Sequence, residues 1–406
     1  MSRLTSWLLL VLVASLPLES VYAVPGSGSV TKLVGLLTGV SWILTVLRRG
    51  GMREPQTLHV VALLFVMWNA CSLLWTIDGS ATQTRVLTYV QLFVLVLVIW
   101  DSVRTEVAVR QVLLADLLGC YAAALILVVG YLVSGTAAEV HGRVTVAGFN
   151  PNDAGVILAL GLPVACFLLA TWAGPRRRAV VLLAATYLPL ALFAVLGTGS
   201  RAALVAVVPA LWYAGRLLGR SRPALAVVTF VGLGCLAVAA IPVLPARAVQ
   251  RIFDTGHELM RGNLNERQDV WAEAVRIIGE NPVSGIGAGA FRTAATGVNK
   301  VGHNFVLALL AEIGVVGLVL FLAIIVVGVR SLRTAPWALR ELWLTILVAW
   351  TFAALLHNWE YRKLTWVMFG LIAVCGALQG VPTLAQVQEA QRGTDPLDRR
   401  RTRRGP

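Results

Sequence analysis

A chain of 406 residues that is 58% hydrophobic and only 13% charged is no ordinary water-soluble domain, for which about 45–50% and about 25% are usual. The formal charge of +14 suggests nucleic acid, but the basic residues are dealt out in small groups between long apolar stretches, which argues against that class of partner. The five cysteines all lie inside apolar stretches and form no CxxC, so a disulfide framework is excluded and each reads as a small buried hydrophobe.

Twelve apolar stretches have the length a helix needs to cross a hydrocarbon core of about 30 Å at about 1.5 Å per residue. In chain order they are predicted at residues 6–22, 30–47, 58–75, 86–103, 111–133, 151–172, 180–196, 202–218, 224–244, 304–329, 341–356 and 364–381. The first follows Arg3 and runs into Val21-Tyr22-Ala23, a pattern shared with cleaved signal peptides. It is read here as an uncleaved anchor. No internal repeat is evident, which disfavours the inverted-repeat transporters.

Orientation follows from where Lys and Arg lie in short loops. With the N-terminus inside, the inner set is Arg3, Arg48, Arg49, Arg53, Arg104, Arg110, Arg176, Arg177, Arg178, Arg216, Arg220, Arg222, Arg330, Arg333, Arg340 and six residues of the tail, which makes 21 of the 34 basic residues. Both termini are therefore expected in the cytoplasm. The expected division is a transmembrane domain over 1–384 and a basic, disordered tail over 385–406 that is drawn to anionic lipid.

Two outer connections are long, from about 134 to 150 and from 245 to 303. A loop of the second length is expected to carry structure of its own. Within it, Asn265-Glu266-Arg267-Gln268 resembles a capping-box start, and a helix is predicted over 266–278, closed by Gly279 and Pro282. Arg267, Trp271, Ala274 and Ile278 would share one face, which suits a helix lying on the membrane. The glycine-rich stretch Gly285-Ile286-Gly287-Ala288-Gly289-Ala290 reads as flexible.

With this topology the spans that begin near 151, 202 and 304 start at the outer face, where free N–H groups and the positive end of the helix dipole favour an anion. Asn150 and Pro151 make a sound cap and first residue, and capping alone accounts for them; Asn152 stands beside them. Arg143 precedes this start, either as an anion contact or as a solvated loop residue. Arg201 sits in the first turn after Thr198-Gly199-Ser200, against the dipole, a conflict that a bound anion or a lipid phosphate would relieve. Arg267 raises the same conflict, with a snorkelling side chain as the alternative. His303, followed by Asn304, opens the span at 304 on the face of Gly314 and Gly317, and is either a general base or a structural histidine. Glu312 and Asp116 are the ionisable residues deep inside spans, and for Glu312 a proton path and a satisfied hydrogen bond are both open. No His pair or DxD marks a metal site in the outer loops.

The ordered set Phe149-Asn150-Pro151-Asn152, Gly199-Ser200-Arg201, Glu266-Arg267 with Trp271, Asn281-Pro282 with Gly285-Ile286-Gly287, and Gly302-His303-Asn304 with Glu312 and Gly314 resembles the O-antigen ligase and polymerase family of bacterial envelopes. The resemblance spans roughly residues 148 to 321. It implies an all-α, GT-C-like fold in the bacterial inner membrane with about twelve transmembrane helices and a structured periplasmic loop. It also implies transfer of a glycan, without metal or other cofactor and with inversion, from an undecaprenyl-pyrophosphate carrier to lipid A core or to a second lipid-linked glycan. Arg201 and Arg267 would then hold the pyrophosphate, His303 would assist the acceptor hydroxyl, and Asn304, Asn152 and Arg143 would complete the substrate contacts. A flippase or transporter of lipid-linked glycan or another anionic solute is the alternative from another class.

Overall fold

The computed structural model describes residues 2–19, 23–24, 28–135, 142–145, 150–173, 175–221, 223–254, 267–295 and 304–378. Its helices are α1 (Arg3–Ser15), α2 (Val30–Arg49), α3 (Thr57–Cys71), α4 (Gly79–Ser102), α5 (Glu106–Ser134), α6 (Pro151–Thr171), α7 (Arg177–Thr198), α8 (Arg201–Ser221), α9 (Pro223–Ala240), α10 (Ala246–Phe253), α11 (Arg267–Glu280), α12 (Phe291–Ala294), α13 (Phe305–Ser331), α14 (Trp337–Ala354) and α15 (Lys363–Gly376). The strand content described is a two-residue ladder in which Ala23–Val24 pairs antiparallel with Gly28–Ser29.

Each of the twelve predicted spans coincides with one of these helices, and the protein is an all-α polytopic membrane protein. Helices α2 to α7, α13 and α14 are long and apolar enough to cross a bilayer. Helices α1, α9 and α15 contribute shorter apolar segments, and α8 carries Arg201, Arg216 and Arg220. Helix α6 is apolar all round and is the most buried of the eight, as a helix surrounded by other helices must be. It packs against α5, α7, α8 and α14. Small residues set how close its neighbours come: a Cβ on Gly161 would lie 2.4 Å from the Tyr187 hydroxyl, and one on Gly155 2.7 Å from Thr198 Oγ1. Helix α2, by contrast, leaves Leu33, Leu36 and Leu47 exposed, as expected where lipid is the neighbour. Cys120, Cys166 and Cys375 are buried, but Cys71 and Cys235 are exposed. Predicting burial for those two was wrong because an apolar span buries only one of its faces in protein.

One end of the bundle is tied by a single carboxylate. Asp101, fully buried at the end of α4, accepts from Trp42 Nε1 (3.0 Å), Arg49 Nη2 (2.7 Å), Arg104 Nη2 (2.6 Å) and the Arg53 backbone N–H (3.0 Å). Arginines counted above as orientation signals therefore also serve as structural donors.

The long connection before α13 carries the largest departure from expectation. Helix α13 breaks at Gly314, whose φ of 67° and ψ of −171° are not helical, and carbonyls in the preceding turn lose their partners within the helix. The stretch around Gly285 supplies replacements. Ile286 N–H donates to Ala311 O (3.0 Å) and Gly287 N–H to Glu312 O (2.8 Å), while Val315 N–H donates back to Pro282 O (2.9 Å). Trp68 Nε1 donates to Ile313 O (2.8 Å), and Gly289 N–H donates to the Glu312 carboxylate (2.7 Å). The stretch is thus an ordered wedge rather than a flexible linker, and its glycines are there for close approach: a Cβ on Gly285 would sit 2.4 Å from the Glu312 carbonyl carbon, and one on Gly287 2.1 Å from Thr76 Oγ1. For Glu312 the hydrogen bond to Gly289 supports the structural alternative.

Helix α11 packs on α13 through Val270, Ala274 and Ile277, which join Ile286, Phe291 and Ala311 in a small core. The expectation of a helix laid on the membrane through Trp271 and Ile278 is therefore corrected. The apolar stripe is offset by one residue and is used against protein.

Candidate functional site

The starts of α6 and α8 meet at one end of the bundle. Asn150 caps α6 by accepting from Asn152 N–H (2.9 Å), which leaves the Asn152 side chain to turn outward from the first turn. At α8, Gly199 takes a left-handed conformation (φ 56°) that ends α7, and Ser200 accepts from Ala203 N–H (3.3 Å) to start the next helix. That tight turn places Arg201 in the first turn of α8 with little spacer.

Arg143 lies across both starts. Val144 N–H donates to Gly197 O (3.0 Å), which fixes the segment against the α7–α8 turn. The guanidinium then donates from Nε to Thr198 O (2.6 Å) and from Nη2 to Asn152 Oδ1 (2.6 Å). Helix α10 covers the same turn: Ala248, fully buried, lies against Gly199, and Arg201 Nε donates to Arg251 O (3.3 Å). The result is a cluster of Arg143, Arg201 and Arg251. Burial, then repulsion from Arg251 and Arg201, pulls the Arg143 guanidinium down to about 10. Two guanidiniums close enough to act on Arg143, beside two helix N-termini, make this mouth strongly positive.

A chain of contacts leads from this mouth to the start of α13. Asp153, next to Asn152, accepts from Trp359 Nε1 (3.0 Å) and pairs with Arg362 (2.5 Å). In the same α14–α15 connection, Asn358 Oδ1 accepts from Asn304 N–H (3.1 Å), and the Asn304 side chain caps α13 by accepting from Val306 and Leu307 N–H. Deeper in that connection Glu360, 1% exposed, lies 3.8 Å from Arg85, whose guanidinium stacks on the Tyr361 ring (3.9 Å). Burial pushes the Glu360 carboxyl up to about 8, against the pull of Arg85.

Of the residues predicted from sequence, Arg143, Asn152 and Arg201 are brought together, and Asn304 is joined to them through Asp153, Trp359 and Asn358. Arg267 opens α11, and its side chain lies outside the described residues, as does the whole of His303. On α11 the Trp271 Nε1 is buried without an acceptor among the described residues. The sequence reading missed Arg251, Arg85 and Glu360. Arg247 and Arg251, spaced i, i+4 in a short segment after a proline, were the available signal for α10.

A family model described as O-antigen ligase matches residues 185–322, a stretch that takes in Arg201, Arg251, Arg267, His303, Asn304 and the broken turn at Gly314. No curated protein matches the chain. Taken with the all-α membrane fold, and with Arg201 and Arg251 inside the matched stretch, this match to about a third of the chain supports a relation to the O-antigen ligase family and ligase- or polymerase-type glycan transfer in general.

Proposed function

We propose that the protein moves a glycan from an undecaprenyl-pyrophosphate carrier to an acceptor hydroxyl at the periplasmic face of a bacterial inner membrane, with both termini in the cytoplasm. The observation that carries this reading is the convergence of Arg143, Arg201 and Arg251 at the starts of α6 and α8. Arg267, whose side chain lies outside the described residues, is proposed as a further diphosphate ligand, since a diphosphate carries several charges and is matched by planar guanidiniums. The acceptor oxygen attacks the anomeric carbon while the bond to the diphosphate oxygen breaks. The departing diphosphate takes the electron pair, and the acceptor proton passes to His303. Attack opposite the leaving group inverts the anomeric centre, and the arginines neutralise the charge that develops, so no metal is called for. Asn304 and Asn152, at the two helix mouths, orient the substrates.

The acceptor is lipid A core for a ligase or a second lipid-linked glycan for a polymerase. Purified protein given only an undecaprenyl-pyrophosphate glycan should form longer chains if it is a polymerase and should wait for lipid A core if it is a ligase. Failure of transfer with both acceptors would overturn the reading.

The transporter alternative gains one observation, since a broken helix such as α13 is a device transporters use at a substrate site. Here the break is filled by residues 282–290 of the same chain, which leaves it as packing rather than as a cavity.

A further inference from the structure

Residues 358–362, in the connection from α14 to α15, fasten three helices to one another. Asn358 holds Asn304 N–H at the start of α13 (3.1 Å), Trp359 and Arg362 hold Asp153 in the first turn of α6, and Tyr361 stacks on Arg85 of α4. Glu360, in the middle of the run, makes no such closed contact with its side chain. Its carboxylate stops 3.8 Å from Arg85 Nη1, too far for a hydrogen bond, and both Glu360 Oε2 and Arg85 Nη1 are buried without a hydrogen-bond partner among the described residues. The pair is held open although closing it would satisfy both atoms. The groups that face Glu360 are Arg85 and Tyr89 from α4, Glu312 from α13, and Tyr361 and Arg362 from its own connection. Arg85 is thus the cation that Glu360 shares with Glu312.

We propose that Glu360 is a positioning residue for transfer: while its carboxyl keeps a proton, the pair with Arg85 stays open and Asn358 holds the start of α13, and loss of the proton closes the pair and releases that start. The inference rests on the reading of the outer mouth as a glycan-transfer site, with His303 and Asn304 at the head of α13. Burial favours the proton and raises the carboxyl to about 8, so the open state prevails at neutral pH. Once ionised, the carboxylate gains a charge-assisted bond to Arg85 of about 2.8 Å, which takes about 1 Å of movement. Arg85 has little freedom to supply it, because Tyr361 covers its guanidinium and Gly289 backs its Cβ. The connection therefore turns about the Glu360 carbonyl, which Trp366 Nε1 holds at 2.8 Å, and carries Asn358 with it. A hydrogen bond of 3.1 Å that is stretched by about 1 Å is lost.

The test is the pH profile of transfer by the full chain in nanodiscs, below its melting temperature, with an undecaprenyl-pyrophosphate glycan as donor and both acceptor types supplied. Titration of His303 shapes the acid limb, so the alkaline limb reads Glu360 alone. In the wild-type protein kcat should fall about tenfold between pH 7 and pH 9, as the protonated fraction of a group near 8 does, while KM for the donor changes less than about twofold. Glu360→Gln cannot ionise and should hold its kcat across that range. Asn358→Ala leaves Glu360 to titrate but cuts its link to Asn304, so kcat should be lower throughout and no longer fall towards pH 9. Either variant decides if the other fails to fold. A wild-type kcat that stays level from pH 7 to pH 9, or a tenfold fall that persists in either variant, overturns the positioning role and leaves the transfer reading standing. Absence of transfer by the wild-type protein with both acceptors removes the transfer reading, and the role of Glu360 with it.

Discussion

Arg143 donates through Nη2 to the side chain of Asn152 at 2.6 Å, a bond that joins the loop before α6 to the first turn of that helix and holds a guanidinium next to two others. Asn152→Asp keeps the shape and adds a negative charge at this point. It should strengthen the Arg143 contact and leave thermal stability unchanged or raised, yet cut diphosphate affinity by about tenfold to a hundredfold, the worth of one charge-assisted hydrogen bond. Calorimetric titration with inorganic diphosphate measures this. Equal affinity in the two proteins would remove Arg143 from the anion site.

Arg267 and His303 are tested by substitutions that keep size or charge. Arg267→Lys retains a cation but loses the planar fork, so transfer should fall while expression is unaffected. His303→Gln keeps much of the hydrogen bonding and cannot take a proton. Turnover should drop by roughly 10²- to 10⁴-fold with diphosphate binding intact. Near-normal transfer by a well-folded His303→Gln protein would leave that residue a positioning role only.

At Gly314 a side chain has no room. A Cβ would lie 2.1 Å from Val283 O, and φ is 67°. Gly314→Ala should therefore cost about 3 kcal/mol or more, from the left-handed backbone and the collision together. Gly285→Ala should be comparably damaging. Gly279→Ala, inside α11 with open space around it, should be neutral or stabilising by up to about 1 kcal/mol. Melting temperatures in detergent compare the three, and equal tolerance would contradict the wedge.

Glu360 gives a pH dependence of definite sign. Its ordinary value of 4.5 is raised to about 8, chiefly by burial, with Arg85 and Arg362 opposing and Glu312 adding to the rise. Between those values the folded protein holds a proton that the unfolded chain has released, so stability falls as pH rises through the window, and the loss is complete above about 8. Glu360→Gln should flatten the melting temperature between pH 5 and pH 9. The same slope in both proteins would assign it to another group.

Orientation is open to cysteine labelling. A cysteine in place of Ala272, exposed on α11, should react with a membrane-impermeant maleimide from the periplasmic side. Gly289 is a poor site for such a probe, with φ 78° and Ala81 O 3.1 Å from an added Cβ. Labelling at 272 only after the inner membrane is opened would invert the proposed topology.

The helices were legible because a bilayer demands stretches of fixed length and polarity, and each of the twelve stretches became a helix. Helix starts were legible at Asn150 and Ser200, caps whose chemistry is written within four residues; Asn304, read only as a substrate contact, caps its helix in the same way. The pairing of Arg143 with Asn152 and Thr198 was not, because it depends on how two loops meet in space. Glycine frequency at 285–289 was misread as looseness. Only the path of α13 shows that those glycines admit a neighbouring backbone, and α13 itself looks continuous in sequence because nothing in its apolar run announces the break. Arg251 was hidden among loop charges until α10 set its carbonyl against Arg201.

The break in α13 also bears on the order in which the protein is made. Inside a membrane the exposed carbonyls of Ala311, Glu312 and Ile313 find no water to replace their missing partners. The residues that satisfy the first two, Ile286 and Gly287, and Trp68, which satisfies the third, all precede α13 in the chain. Each donor has therefore left the ribosome before the acceptor it serves, and the wedge is available to receive the helix as it enters the bilayer. A rearrangement that moved residues 281–295 behind α13 would keep every contact possible in the finished protein, and yet would deliver an unsatisfied helix to the membrane first.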